Sequence, residues 1–193
     1  MIITFLTSKK LYPNTVGVLY PLVLWKKILK KNNLNFVLCY SLEKVKKSDF
    51  IILDSKYHRD LWDNYKNKII KDLNILKKKT NKLIYFDTTD STSSIQIEVF
   101  DYINKYWKMQ IFKDKNNYKK DFYGGRIFTD YLKYNKTIYE KKISLNNVIN
   151  NEDIIKKISL AWNASFRKYD FYNSYLNNLY ISTSFPKTKY KIY

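Results

Sequence analysis

Short apolar runs and amphipathic, lysine-flanked stretches take turns over roughly the first ninety residues, the alternation expected of strands and crossover helices. "IITFL" (2 to 6), "NFVLCYSL" (35 to 42), "DFIILDS" (49 to 55) and "KLIYFD" (82 to 87) read as four strands. Pro21 stands where a first helical turn would begin, and Leu22, Trp25, Ile28 and Leu29 then recur at spacings of three and four, predicting a helix with one buried face. A longer helix is predicted over 59 to 79, with Trp62, Tyr65, Ile69, Leu73 and Leu76 on its inner stripe. Asp60 and Asp63 fall in its first turn and Lys77 to Lys79 in its last, in accord with the helix dipole.

The resulting β-α-β-β-α-β order, with strands apolar on both faces, predicts an α/β fold: a Rossmann-like, mostly parallel sheet with helices on both faces. Beyond residue 92 the pattern is mixed. Ile95, Ile97 and Val99 alternate like a strand, whereas Tyr102, Ile103, Tyr106 and Trp107 step like a helix, and the boundary between them is open. "KDKNNYKKDFYGGR" reads as a loop, and "NNEDIIKKISLAWNASF" (150 to 166) as a helix capped by Asn151 with Ile154, Ile155, Ile158, Ala161 and Trp162 facing inward. The pattern gives one lobe over 1–166, followed by a helical or irregular extension over 167–193.

The length of 193 residues suits one domain, or one lobe of something larger, and 45% hydrophobic content supplies a core. A formal net charge of +19 raises nucleic acid as a partner, but only Arg59, Arg126 and Arg167 are arginines among 36 basic residues. The rest are lysines, accompanied by abundant asparagine, tyrosine and isoleucine and scarce glycine and proline, the signature of an A/T-rich coding sequence. A dedicated nucleic-acid reader would retain arginine for bidentate contacts. One cysteine, Cys39, and one histidine, His58, exclude a disulfide framework and a Cys/His zinc site within the chain. Cys39 reads as a buried thiol and His58 as a solvated histidine in a polar turn. "MIITFL" is too short for a signal peptide, and no run reaches the roughly 18 apolar residues of a membrane span. The expected location is the cytoplasm.

Candidate chemistry concentrates where strands end. In open α/β sheets the ligand crevice lies beyond the carboxyl ends of the strands, where the crossovers change direction. "LIYFDTTDST" delivers Asp87, Thr88, Thr89, Asp90, Ser91 and Ser93 to that rim, and "IILDSK" delivers Asp54. Such carboxylates can accept hydrogen bonds from sugar hydroxyls or a substrate ammonium, or help hold a divalent cation; alternatively, Asp90 and Ser91 cap the following segment, and both readings stay open. "YGGRIFTDY" adds Gly124 and Gly125, which allow close backbone approach, and Arg126, a forked donor retained where arginine is rare. "AWNASFR" adds Asn163. No dinucleotide fingerprint, P-loop or nucleophile elbow is present, and D-x-x-D spacing matches no common metal motif, so neither a metal nor a cofactor is expected.

Taken in order, "SDFIILDSK", "IYFDTTDST", "FDYINKYWKMQIFKDKNNY", "YGGRIFTDY" and "ISLAWN" resemble the amino-terminal half of glycosyltransferase-like proteins encoded in bacterial and archaeal surface-polysaccharide clusters, over roughly residues 45 to 165. The resemblance implies the first of two GT-B lobes, the one that contacts a glycan or lipid-linked acceptor, with Asp87 or Asp90 as base and Asp54, Thr88, Thr89, Ser91, Ser93, Gly124, Gly125, Arg126 and Asn163 lining the cleft. A nucleotide-sugar donor belongs to a second lobe or subunit, and none follows Tyr193 here. This reading expects Asp87→Asn or Asp90→Asn to leave the fold intact and abolish acceptor binding or transfer. The alternative is a lysine-rich module binding nucleic acid or an anionic membrane at the inner face, with affinity falling as salt rises.

Overall fold

A computed structural model describes residues 1–10, 12–62, 64–123, 127–135 and 148–162. Gly124, Gly125, Arg126 and Asn163, and the extension over 167–193, lie outside the described residues.

The described chain forms a six-stranded, all-parallel sheet: β1 (Ile2–Leu6), β2 (Asn35–Cys39), β3 (Phe50–Asp54), β4 (Leu83–Asp87), β5 (Lys105–Lys108) and β6 (Ile158–Leu160), in the order β2-β1-β3-β4-β5-β6. Register is continuous, with Ile3 opposite Phe50, Ile51 opposite Leu83, Ile84 opposite Lys105 and Tyr106 opposite Ile158. Alternation along each strand feeds two cores. On one face Phe5, Ile52, Ile84 and Phe86 pack with Val18, Leu19 and Val23 of α1 (Pro13–Leu24). On the other, Leu6, Ile51, Leu53 and Tyr85 pack with Ile69, Leu73 and Leu76 of α3 (Lys66–Lys77). This is the Rossmann-like α/β layer the strand pattern predicts.

The helices depart from expectation. α1 starts at Pro13, in its first turn, and Pro21 lies inside it. Pro21 lacks the N–H that would reach Gly17, and the helix ends at Trp25, where α2 (Lys26–Lys31) takes over. The predicted stripe is therefore not the buried one: Trp25 and Ile28 are exposed, whereas Thr15, Val18, Leu19 and Val23 are buried. α2 closes with a reversal in which Leu34 N–H donates to Leu29 O and Asn33 N–H to Lys30 O, with Asn33 at φ 60°.

The helix predicted over 59 to 79 begins only at Lys66, because Asp54 accepts from Lys56 N–H and sets residues 55–58 in a tight 3₁₀ turn. Asp60 thus lies outside it, and Asp63 is outside the described residues. The predicted helix over 150 to 166 is α5 (Glu152–Lys157), capped by Asn151 as expected, but Ile158–Leu160 turns away to become β6 against Tyr106–Lys108. Among the described residues the remaining α-helix is α4 (Ile127–Tyr134).

Candidate functional site

The chain leaves β1 towards β2 on one side, and returns to β3 on the other. The loops after β1 and β3 therefore splay apart, and their carboxyl ends bound the crevice where α/β sheets take ligands. Residues 7–10 and Tyr12, the turn at 55–58 and the loop after β4 surround it.

Asp54 closes the floor. Its Oδ2 accepts from Thr7 Oγ1 and Thr15 Oγ1, each at 2.7 Å, and its Oδ1 from Thr88 Oγ1 at 2.8 Å and Lys56 N–H at 3.1 Å. The carboxyl is fully buried, and burial pushes its pKa up while these donors pull against the rise. The three threonine bonds make Asp54 a clasp joining the end of β1, α1 and the end of β4, and direct access from solvent is closed. Thr88 belongs to the same clasp, and its N–H donates to Ser55 Oγ at 3.1 Å.

Asp87 is engaged on the other side of β4. Lys108 Nζ lies 2.6 Å from its Oδ2 and also donates to Ser94 O at 2.6 Å. Tyr106 Oη donates to the same carboxylate oxygen at 3.0 Å and accepts from Gln96 N–H at 3.1 Å, while Thr89 N–H donates to Asp87 Oδ1. Lys108 and Tyr106 are wholly buried, and Asp87 nearly so. This network pins the loop after β4 to β5. Thr89 Oγ1, buried beside it, finds no partner among the described residues.

The exposed rim belongs to Asp90. Its Oδ1 accepts from Asn14 Nδ2 at 2.8 Å, and the same amide donates to Thr88 O at 3.0 Å, so the first turn of α1 fixes the loop after β4. Ser91 Oγ accepts from Ser94 N–H at 3.1 Å, a local cap of the kind expected, and lies 3.5 Å from Ser93 Oγ. Thr92 and Gln110 carry the polar edge onward. Tyr12, at the start of α1, has Arg59 4.7 Å and Lys10 5.5 Å from its ring centre.

The structure thus gathers Asp54, Asp87, Thr88, Thr89, Asp90, Ser91 and Ser93 at one end of the sheet and sorts them: Asp54 and Asp87 inside, Asp90 outside. Sequence reasoning missed Lys108, Tyr106, Thr7, Thr15 and Asn14. Lys108 carried no signal among so many lysines, although its place inside "YWKMQ" is a polar residue within an apolar run. His58 is a correction: it is buried, with Nε2 3.0 Å from Asp72 Oδ2, because the tight turn at 55–58 aims it at α3. Burial lowers its pKa, against the pull of Asp72. Cys39 is buried as expected, and burial raises its thiol pKa.

Among the described residues, no three His, Cys, Asp or Glu side chains are grouped to hold a metal, and no helix is long and apolar enough to cross a membrane. Compared with protein-family models and with curated proteins, the chain gives no significant match.

Proposed function

We propose that this lobe binds a sugar-class acceptor on the rim formed by the ends of β1, β3 and β4, as the acceptor side of a cytoplasmic glycosyltransferase, with Asp90 as the base facing the reacting hydroxyl. One observation carries the reading: of the three aspartates delivered to that end of the sheet, Asp90 alone is exposed, and Asn14 holds it in place. A carboxylate fixed by a neutral amide presents its remaining lone pairs to a ligand hydroxyl, the geometry a general base needs. Its neighbours Asn14, Ser91, Thr92 and Gln110 are uncharged donors and acceptors suited to vicinal hydroxyls, and Tyr12 offers an aromatic edge. Lys10 and Arg59 set positive charge beside that edge, where an anionic group on the acceptor would lie. A nucleotide-sugar donor is then supplied by a second lobe or subunit.

The test is saturation-transfer NMR of the full chain against a panel of oligosaccharides, repeated with Asp90→Asn. Loss of a hydrogen bond to a charged acceptor predicts binding weaker by about tenfold or more at unchanged melting temperature. Failure of the whole panel to bind, or equal binding by Asp90→Asn, overturns the proposal.

A further inference from the structure

Six of the lysines that look scattered along the sequence are collected by the fold at the end of the sheet opposite the Asp90 rim. In a parallel sheet every return connection arrives at the amino ends of the strands, and here those that lead into β2, β3 and β4 arrive carrying lysine. Lys30 and Lys31 precede β2, Lys46 and Lys47 precede β3, and Lys78 and Lys82 precede β4. None of these six has an ion-pair partner among the described residues. An open basin of about 800 Å³ lies among the starts of β1, β3 and β4, lined by Lys47, Lys78, Lys79 and Lys82 with a single carboxylate, Asp49; Lys79 Nζ donates to Leu42 O and Val45 O, which leaves Lys47, Lys78 and Lys82 as the basin's cations for a ligand. Asp49 is itself engaged by Ile2 N–H at 2.6 Å.

Apolar side chains stand exposed on the same end. Met1 and Ile2 line the basin and are 51% and 41% exposed. Met1 is tied to the α2 reversal through its amino group, which donates to Asn33 O at 2.8 Å. α2 has no buried residue at all; Ile28 is 47% exposed, and Trp25 at its start is 51% exposed. Neither contributes to the two apolar cores.

We propose that this amino-terminal end of the sheet is a docking face for an anionic phospholipid bilayer. The basin and its lysines receive headgroup phosphates, and Trp25, Ile28 and Met1 enter the interfacial layer. Clustered lysine with exposed Trp and aliphatic side chains on one face is the pairing of charge attraction and apolar insertion that holds proteins at bilayer surfaces. Nucleic acid fits less well, since exposed Ile28, Ile2 and Met1 have nothing apolar to enter along a phosphate backbone, and the face carries no arginine among the described residues. The proposal stands apart from the sugar reading. The docking face and the Asp90 rim are separated by the length of a five-residue strand, about 17 Å, so docking turns the rim away from the bilayer.

The experiment is sedimentation of the full chain with vesicles of phosphatidylcholine alone and of phosphatidylcholine mixed with phosphatidylglycerol. Binding is expected only with the anionic vesicles, falling as salt is raised from about 0.05 to about 0.5 M. Lys47→Glu, Lys78→Glu and Lys82→Glu together should weaken it roughly a hundredfold. A charge-matched control, Lys71→Glu, Lys113→Glu and Lys120→Glu, lies mid-α3 and beyond β5 and should lose far less. Trp25 emission should shift to the blue on docking, and Trp25→Ala with Ile28→Ala should lower affinity without removing its salt dependence. Circular dichroism checks that each variant is folded. Equal binding to both kinds of vesicle, an equal loss in the control, or no binding to either kind of vesicle, with or without tight binding of duplex DNA, overturns the proposal.

Discussion

Three aspartates reach the same end of the sheet, and their surroundings give them different chemistry. Asp87 has Lys108, Tyr106 and a backbone N–H as partners inside the protein, so its neutralisation leaves an ammonium buried without a counter-charge. Asp87→Asn should therefore destabilise the fold, contrary to the expectation from the sequence that this exchange leaves the fold intact. Lys108→Met, which strands the carboxylate instead, should cost about 3–5 kcal/mol in urea unfolding, and Lys108→Met combined with Asp87→Leu should recover most of it. Recovery by the apolar pair marks the couple as structural; no recovery would mean that the charges serve something other than packing. His58 makes a second prediction at this scale. Its folded pKa lies below 6.5, so when pH falls through that value the unfolded chain takes up a proton that the folded one refuses. Stability is thus present above about pH 6.5 and declines below it, by up to about 1.4 kcal/mol per pH unit. His58→Gln should flatten this limb between about pH 6.5 and pH 5, as read from urea midpoints. Asp54 has the opposite sign, since its raised pKa favours the fold at acid pH and that advantage is lost as pH rises from 3.8.

At the scale of elements, legibility followed periodicity. β1, β3 and β4 were readable because they are apolar on both faces, and the inner positions of α3 at Ile69, Leu73 and Leu76 repeat over three turns. β5 was not readable: in Lys105–Lys108 the two inward residues are Tyr106 and Lys108, and a buried lysine erases the alternation. β6 was hidden because Ile154, Ile155 and Ile158 satisfy a helical spacing that only pairing with β5 overrides. The site was legible as a set of strand ends, but not in its division between buried and exposed carboxylates. That division depends on Thr7, Thr15 and Lys108, which come from other segments. The α2 reversal supplies a prediction for its element. Asn33 holds a left-handed conformation that a β-branched residue resists. Asn33→Val should cost about 1–2 kcal/mol and Asn33→Gly nearly nothing, as measured by thermal unfolding.

For the whole molecule the dominant fact is unbalanced charge. Thirty-six basic residues meet seventeen acidic ones, and among the described residues the exposed carboxylates in ion pairs include Glu98, Glu152 and Asp153. Lysines gathered at the starts of β2, β3 and β4 repel one another across an open basin, and the compact state holds them closer than the unfolded chain does. Added salt screens that repulsion over distances beyond about 10 Å while leaving the buried Asp87–Lys108 pair almost untouched. The melting temperature should accordingly rise by several degrees between about 0.02 and about 0.3 M sodium chloride. A fall would mean that exposed ion pairs outweigh the lysine repulsion. The same salt should release the protein from anionic vesicles, so stability and docking are expected to move in opposite directions across one titration. Partial neutralisation of the basin by Lys47→Glu, Lys78→Glu and Lys82→Glu should raise the melting temperature at low salt while it weakens docking, because both effects come from the same unpaired charges.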